Sequence, residues 1–149
     1  MEIMVRRQKI KERKKMLDDL KDMIKRHEGF SPEPYFCSEG VLTVGYGRNL
    51  EAVGVSETEA DYMLDSDIDS SLEDLRSIFP KWDSFPDAKK IALADMRFQL
   101  GYYRFRSFKK MIDAVNDGNW GKAANEAFES KWRRQTPNRA LEIIEMLKN

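Results

Sequence analysis

The chain has 149 residues, 41% of them hydrophobic and 35% charged, with 26 basic and 26 acidic side chains and no net charge. That length suits one domain with a sizeable core, and the composition excludes a disordered chain. A single cysteine excludes an internal disulfide, a lone Cys and a lone His make a poor zinc set, and no run nears the roughly 18 apolar residues of a membrane span.

The zero net charge conceals an uneven distribution. Residues 1–15 hold seven Lys or Arg against Glu2 and Glu12. No apolar core follows them, so a Sec-type signal peptide is not expected. Two readings of this basic arm are open: a solvated helical extension, or a contact to an anionic surface such as nucleic acid, lipid or wall polymer. Met16, Leu17, Leu20, Met23, Ile24 and His27 then fall at helical spacing and predict a helix over about 10–28. Gly29 stops it, and Ser31-Pro32-Glu33-Pro34 cannot continue it. Tyr35-Phe36, a Ser38-Glu39-Gly40 turn and Val41-Leu42-Thr43-Val44 predict a hairpin.

Between Glu51 and Arg76 stand nine acidic residues and one basic. Ser56-Glu57-Thr58-Glu59 reads as a capping box opening a long helix, with a stripe of Ala60, Met63, Leu64, Ile68, Leu72, Leu75 and Phe79. Pro80 and Pro86 bracket a loop holding Trp82. From Asp87 to Leu100 apolar residues occupy most of the helical circumference, as expected at the centre of a bundle, and Gly101 ends the run. Phe108 to Val115, Trp120 to Phe128, and a segment opened by Thr136 as N-cap with Pro137 at its first position predict three more helices. One helix, a small hairpin, then helices alone give an α+β class with a dominant helical lobe. No internal repeat or long linker divides the chain.

Glu28 ends the first helix, facing the hairpin that carries Cys37 and Thr43. A protonatable carboxyl at such a place is usable for glycoside hydrolysis, which needs an acid for the leaving oxygen and a second group across the sugar. Most helix-terminal glutamates, however, are solvated or ion-paired. His27 reads as an exposed helical residue. Gly45-Tyr46-Gly47 lacks the further glycines and the helix of a phosphate loop. Trp82, Trp120 and Trp132 read as packing residues.

The segment HEGFSPEPYFCSEGVLTVGYGRNL, from His27 to Leu50, resembles the active-site segment of the phage-type lysozymes of glycoside hydrolase family 24. That pattern is Glu, eight residues, Asp or Cys, five residues, Thr, then Gly-x-Gly. Glu28, Cys37, Thr43, Gly45 and Gly47 meet it. GVSETEADYMLDSDI, DAKKIALADMRFQLG and ESKWRRQTPNRA extend the resemblance over about residues 17–148, leaving the first 15 outside.

The resemblance implies a bilobal lysozyme-like α+β fold and cleavage of the β-1,4 bond between N-acetylmuramic acid and N-acetylglucosamine in peptidoglycan. Glu28 would be the general acid, Cys37 would stand where many members have Asp, and Thr43 would position water or substrate. Arg139 would pair with Glu28. Phe98 and Gln99 would line the cleft, and Glu39 and Asn49 would reach the peptidoglycan. Arg48 stands where members often have His, so an Arg48–Asp67 ion pair would replace a His–Asp one. The six residues between Arg48 and Val55, fewer than in the T-even phage member, imply a trimmed small lobe. Members are often basic, whereas this chain is neutral. The expected protein is a monomer needing no metal or cofactor, with no nucleic-acid partner. It is made in a host cytoplasm and reaches the wall through a holin-type pore or virion delivery. The competing reading is a non-catalytic peptidoglycan-binding or virion-structural protein that keeps the fold; Cys37 and the shortened lobe are its support.

Overall fold

The computed structural model describes all residues from Met1 to Asn149. It is mostly helical with one small antiparallel sheet, the expected α+β class. The chain divides into two compact units, Met1–Glu57 and Thr58–Asn149. No helix is long and apolar enough to cross a membrane.

The first unit opens with α1, Glu2–Glu28. The helix begins well before the expected residue 10, because nothing in the basic arm breaks it: it holds no Gly or Pro, and Lys and Arg are good helix formers. Lys14 pairs with Asp18 at 3.0 Å and Lys15 with Asp19 at 2.6 Å, both one turn apart, and Gln8 donates to Glu12 at 2.8 Å. α1 buries no residue along its 27 positions.

Three strands follow in the order β1 (Ser31–Phe36), β2 (Leu42–Gly45) and β3 (Arg48–Asn49), all antiparallel. The Ser31-Pro32-Glu33-Pro34 stretch, left outside the expected hairpin, belongs to β1. Both prolines sit on an edge strand, where a missing N–H costs little, and the pairing register slips between Ser31 and Tyr35. β3, too short to show in the sequence pattern, pairs Thr43 with Asn49 and Val44 with Arg48.

The second unit contains α2 (Glu57–Ile78, its first residue closing the first unit), α3 (Asp87–Arg106), α4 (Lys109–Asn116), α5 (Trp120–Phe128), α6 (Lys131–Gln135) and α7 (Pro137–Lys148). α3 runs past its expected end, but Gly101 interrupts it with φ 78° and ψ 177°, and a second helical turn then resumes to Arg106. The break is where the glycine predicted it; the resumption was not. Leu75, Phe79, Leu93, Met96, Phe105, Met111 and Leu147 are among the largest fully buried side chains. Phe79 sits within 6.3 Å of the rings of Trp82, Phe85 and Phe105.

Only part of each expected stripe is buried. On α2, Leu75 is buried but Met63, Leu64 and Ile68 are 56%, 42% and 39% exposed. On α3, Ile91 and Phe98 also face outward. Together Leu64, Ile68, Leu72, Ile91, Ala94 and Phe98 line a groove of about 540 Å³ on this unit.

Polar ties complete the unit. Asp74, buried on α2, accepts from Arg97 Nε at 2.7 Å and from Arg106 Nη2. Lys89 donates to the Leu147 carbonyl at 2.6 Å, closing the last turn of α7, and lies 4.9 Å from the Trp120 ring. Burial holds its pKa below the ordinary lysine value. Asn119 and Ser130 cap α5 and α6 through their side chains. Thr136, expected to cap α7, donates instead to the Trp132 carbonyl at 3.2 Å. Its hydroxyl is drawn back to the helix it closes, and Pro137 still takes the first position of α7.

Candidate active site

The first unit gathers six of the ten candidate residues: Glu28, Cys37, Glu39, Thr43, Arg48 and Asn49. Glu28 ends α1, Cys37 and Glu39 lie in the turn between β1 and β2, and Thr43, Arg48 and Asn49 lie on strands. Glu28 is the last residue of α1, and Gly29 closes the helix by donating to the Lys25 carbonyl at 3.0 Å. The same helix end is pinned to the β2–β3 turn. The Phe30 and Tyr46 rings meet at a tilt with centroids 5.4 Å apart, and Lys25 Nζ lies 5.1 Å from the Tyr46 ring.

Gly47, next to Tyr46, explains why that turn reads Gly-Tyr-Gly. Its φ is 71°, a left-handed conformation, and a Cβ there would lie 2.6 Å from the Glu28 carboxyl carbon and nearer still to Oε2. The carboxylate of Glu28 is therefore laid against bare backbone, a contact that any larger residue would block. Glu28, Gly29, Phe30, Ser31 and Tyr35 line a shallow pocket of about 270 Å³ beside it.

The other side of the constellation is the β1–β2 hairpin. Cys37 follows β1, and its backbone closes the turn: its N–H donates to the Val41 carbonyl at 3.0 Å, and its carbonyl accepts from Gly40 at 2.8 Å. The thiol is free and half-buried. Its pKa is lowered, first by a hydrogen bond from the Val41 backbone amide and then by one from the Glu39 amide. Partial burial opposes them. The Thr43 hydroxyl adds a further lowering, and the Glu39 carboxylate a small increase. Sequence spacing does not reveal these backbone donors, because they are aimed at the sulfur only once the turn has closed.

Thr43 is 5% exposed on β2, between Tyr35 and Asn49 on the flanking strands. Its hydroxyl donates to the Val41 carbonyl at 2.9 Å and also engages Cys37. Asn49 is committed to its own turn, with Oδ1 accepting from the Ala52 amide at 2.9 Å. Arg48 donates from Nη1 to the Gly54 carbonyl at 3.0 Å. Glu39 stands exposed on the hairpin turn.

Asp67, Phe98, Gln99 and Arg139 belong to the second unit. Phe98 is 43% exposed and lines its groove. Gln99 is expected at a cleft, but its Oε1 accepts from Trp132 Nε1 at 2.9 Å, so that oxygen serves packing. Arg139 was expected to hold Glu28; the partner the structure gives it is Asp95, Nε to Oδ1 at 2.8 Å. Asp95 lies 44 positions away and carried no sequence signal. Asp67, exposed on α2, gives its backbone carbonyl to Ser71 at 2.9 Å and borders a polar pocket with Arg97.

The family model for phage lysozyme matches residues 25–145, which spans this whole constellation. The chain belongs to the phage lysozyme family. Two relatives from Dictyostelium discoideum, named probable T4-type lysozymes 1 and 2, are 26% and 28% identical to it. They align over 89% and 87% of this chain and 95% and 93% of their own lengths. A peptidoglycan hydrolase, gp36, of Pseudomonas phage phiKMV is 30% identical over 80% of this chain and 14% of its own length.

Proposed function

We propose that this family member is a peptidoglycan hydrolase that cleaves the β-1,4 bond between N-acetylmuramic acid and N-acetylglucosamine. The observation that carries the reading is the apposition of the Glu28 carboxylate to Gly47, in the same unit as the Cys37–Thr43 pair. The names of the relatives point to the same substrate.

In this reading Glu28 donates its proton to the glycosidic oxygen as the bond to the anomeric carbon breaks. Cys37 and Thr43 hold the water on the far side of the sugar. Its oxygen adds to the anomeric carbon, its proton passes to the Cys37 sulfur, and the product is inverted. The lowered thiol pKa supports an acceptor at position 37, because the anionic form is the base. Glu39, exposed on the hairpin turn, and Asn49 reach the glycan or its peptide. Phe98 and Gln99 are substrate-binding positions, and Arg48, Asp67 and Arg139 are supporting ones. The protein acts on the wall from outside the cytoplasm, after release or virion delivery.

The test is loss of turbidity of chloroform-treated Gram-negative cells. Gln keeps the shape of Glu28 but has no proton to give, so Glu28→Gln should lose about two to four orders of magnitude in rate while folding normally. A variant retaining a tenth of wild-type activity would remove Glu28 from the acid role. Sacculus binding without lysis in the wild type would favour the non-catalytic reading. Trapping the first-formed anomer reads the stereochemistry, and a retained anomer would make Cys37 the nucleophile.

A further inference from the structure

From Met96 to Ile112 the chain holds Arg97, Arg104, Arg106, Lys109 and Lys110 and no acidic residue. The stretch spans the junction of α3 and α4 and lies wholly within the second unit. Arg97 and Arg106 share the buried carboxylate of Asp74. Arg104, Lys109 and Lys110 are exposed and have no acidic partner. Fold stability does not account for the two lysines: the first turn of a helix favours acids, and α4 opens with Lys109 and Lys110 instead.

Two aromatic rings stand in the same stretch. After the break at Gly101, α3 resumes with Tyr102 and Tyr103. Tyr103 is 84% exposed, more than any other large apolar side chain except Met1. Its ring meets Tyr102 edge-to-face at 4.9 Å, and the Arg106 guanidinium lies 4.3 Å from the centre of the Tyr102 ring. Arg106 is in turn held by Asp74 and by Ser77 Oγ at 3.1 Å. A buried acid thus fixes an arginine, the arginine fixes one ring, and that ring supports a second one left open to solvent.

We propose that this junction is a binding surface for a peptidoglycan strand, with a sugar of the glycan on the Tyr103 ring and the carboxylates of a peptide stem on Arg104, Lys109 and Lys110. The choice of partner rests on the hydrolase reading above. The C–H face of a pyranose carries slight positive charge and suits the negative face of an aromatic ring. Peptide stems supply carboxylates beside that sugar, so one open ring with cations next to it in the chain matches one glycan unit and its stem. Single-stranded nucleic acid instead stacks successive bases on successive rings, and here Arg106 already occupies Tyr102. The patch also gives a chain of zero net charge a local attraction for an anionic wall.

The test is co-sedimentation of the full chain with purified sacculi, in the Glu28→Gln background and on ice so that the wall stays intact. Tyr103→Ala should weaken binding about fivefold, and Tyr103→Phe, which keeps the ring, should bind like the parent. Arg104→Gln with Lys110→Gln should weaken binding about fivefold at low salt and little at high salt. On glycan stripped of its stems by an amidase, Tyr103→Ala should still bind more weakly, whereas the charge variant should match the parent. All three positions are exposed, so thermal melts should stay at the parent value. Parent-level binding to sacculi by Tyr103→Ala or by the charge variant would overturn the proposal. So would a Tyr103→Phe protein as weak as Tyr103→Ala, or a preference for single-stranded DNA over sacculi that these substitutions abolish. Tyr103-dependent sacculus binding by a wild type that does not lyse cells would instead sink the hydrolase reading and leave this surface standing.

Discussion

The two units differ most in what they bury. Across Met1–Glu57 the one residue in the buried class is Thr43, a polar side chain; the twenty hydrophobic residues of the core all lie between Leu75 and Leu147. The unit that carries the proposed chemistry is held by hydrogen bonds, turn geometry and one aromatic contact. The other is held by packing. Fifty-odd residues without an apolar core are marginal by surface-to-volume scaling. Substitutions in the two units should therefore act on different observables: stability in the second, site geometry in the first.

The largest effect on stability should come from Phe105→Ala. Phe105 is fully buried, in edge contact with Phe79 at 6.3 Å. Removing a buried aromatic costs about 3–5 kcal/mol. A chemical-denaturation midpoint should fall accordingly, whereas Glu28→Gln should leave it unchanged and abolish lysis. A Phe105→Ala protein of wild-type stability would mean that the packed core is not what holds the second unit.

Gly47→Ala should give the reverse pattern. The substitution forces a side chain into a left-handed conformation, which costs about 1–2 kcal/mol, and drives its Cβ into the Glu28 carboxylate. Glu28 must then move. Activity should fall at least about tenfold, with a much smaller loss of stability than Phe105→Ala. Full lytic activity in Gly47→Ala would show that the close approach of Glu28 to the turn is not needed for function.

How much of this was legible in the sequence follows the same division. The helices of the second unit announce themselves by periodicity, and the break at Gly101 by its residue type. Their partners do not: Arg139 with Asp95 and Gln99 with Trp132 are pairs 44 and 33 residues apart, which no local pattern encodes. In the first unit, residue types and spacing mark Glu28, Cys37 and Thr43 through resemblance. The prolines of β1 hid a strand, because a local rule against Pro in strands does not know which strand is an edge. The direction of the Cys37 pKa is not legible in the sequence, because the groups that set it are main-chain amides, identical at every residue and aimed only by the fold.

That last point can be measured directly. The rate of Cys37 alkylation by iodoacetamide follows the thiolate fraction, so its pH midpoint reports the pKa. The midpoint should lie below that of a free cysteine. Val41 and Glu39 supply the two largest lowering effects through their backbone amides, which no side-chain substitution removes. Thr43→Val should therefore raise the midpoint only modestly. Glu39→Gln should lower it slightly, because it removes a carboxylate that disfavours the thiolate while keeping the amide. The linkage has a definite sign. A thiol whose folded pKa is depressed stabilises the fold fully above its unfolded pKa of about 8.5. That contribution is lost as the pH falls through the folded value. Cys37→Ser should thus flatten the rise in stability across that alkaline window while leaving it unchanged at acidic pH. A midpoint at or above that of free cysteine would remove the amide account. A shift in Thr43→Val large enough to restore the free value would transfer the effect from the main chain to a single hydroxyl.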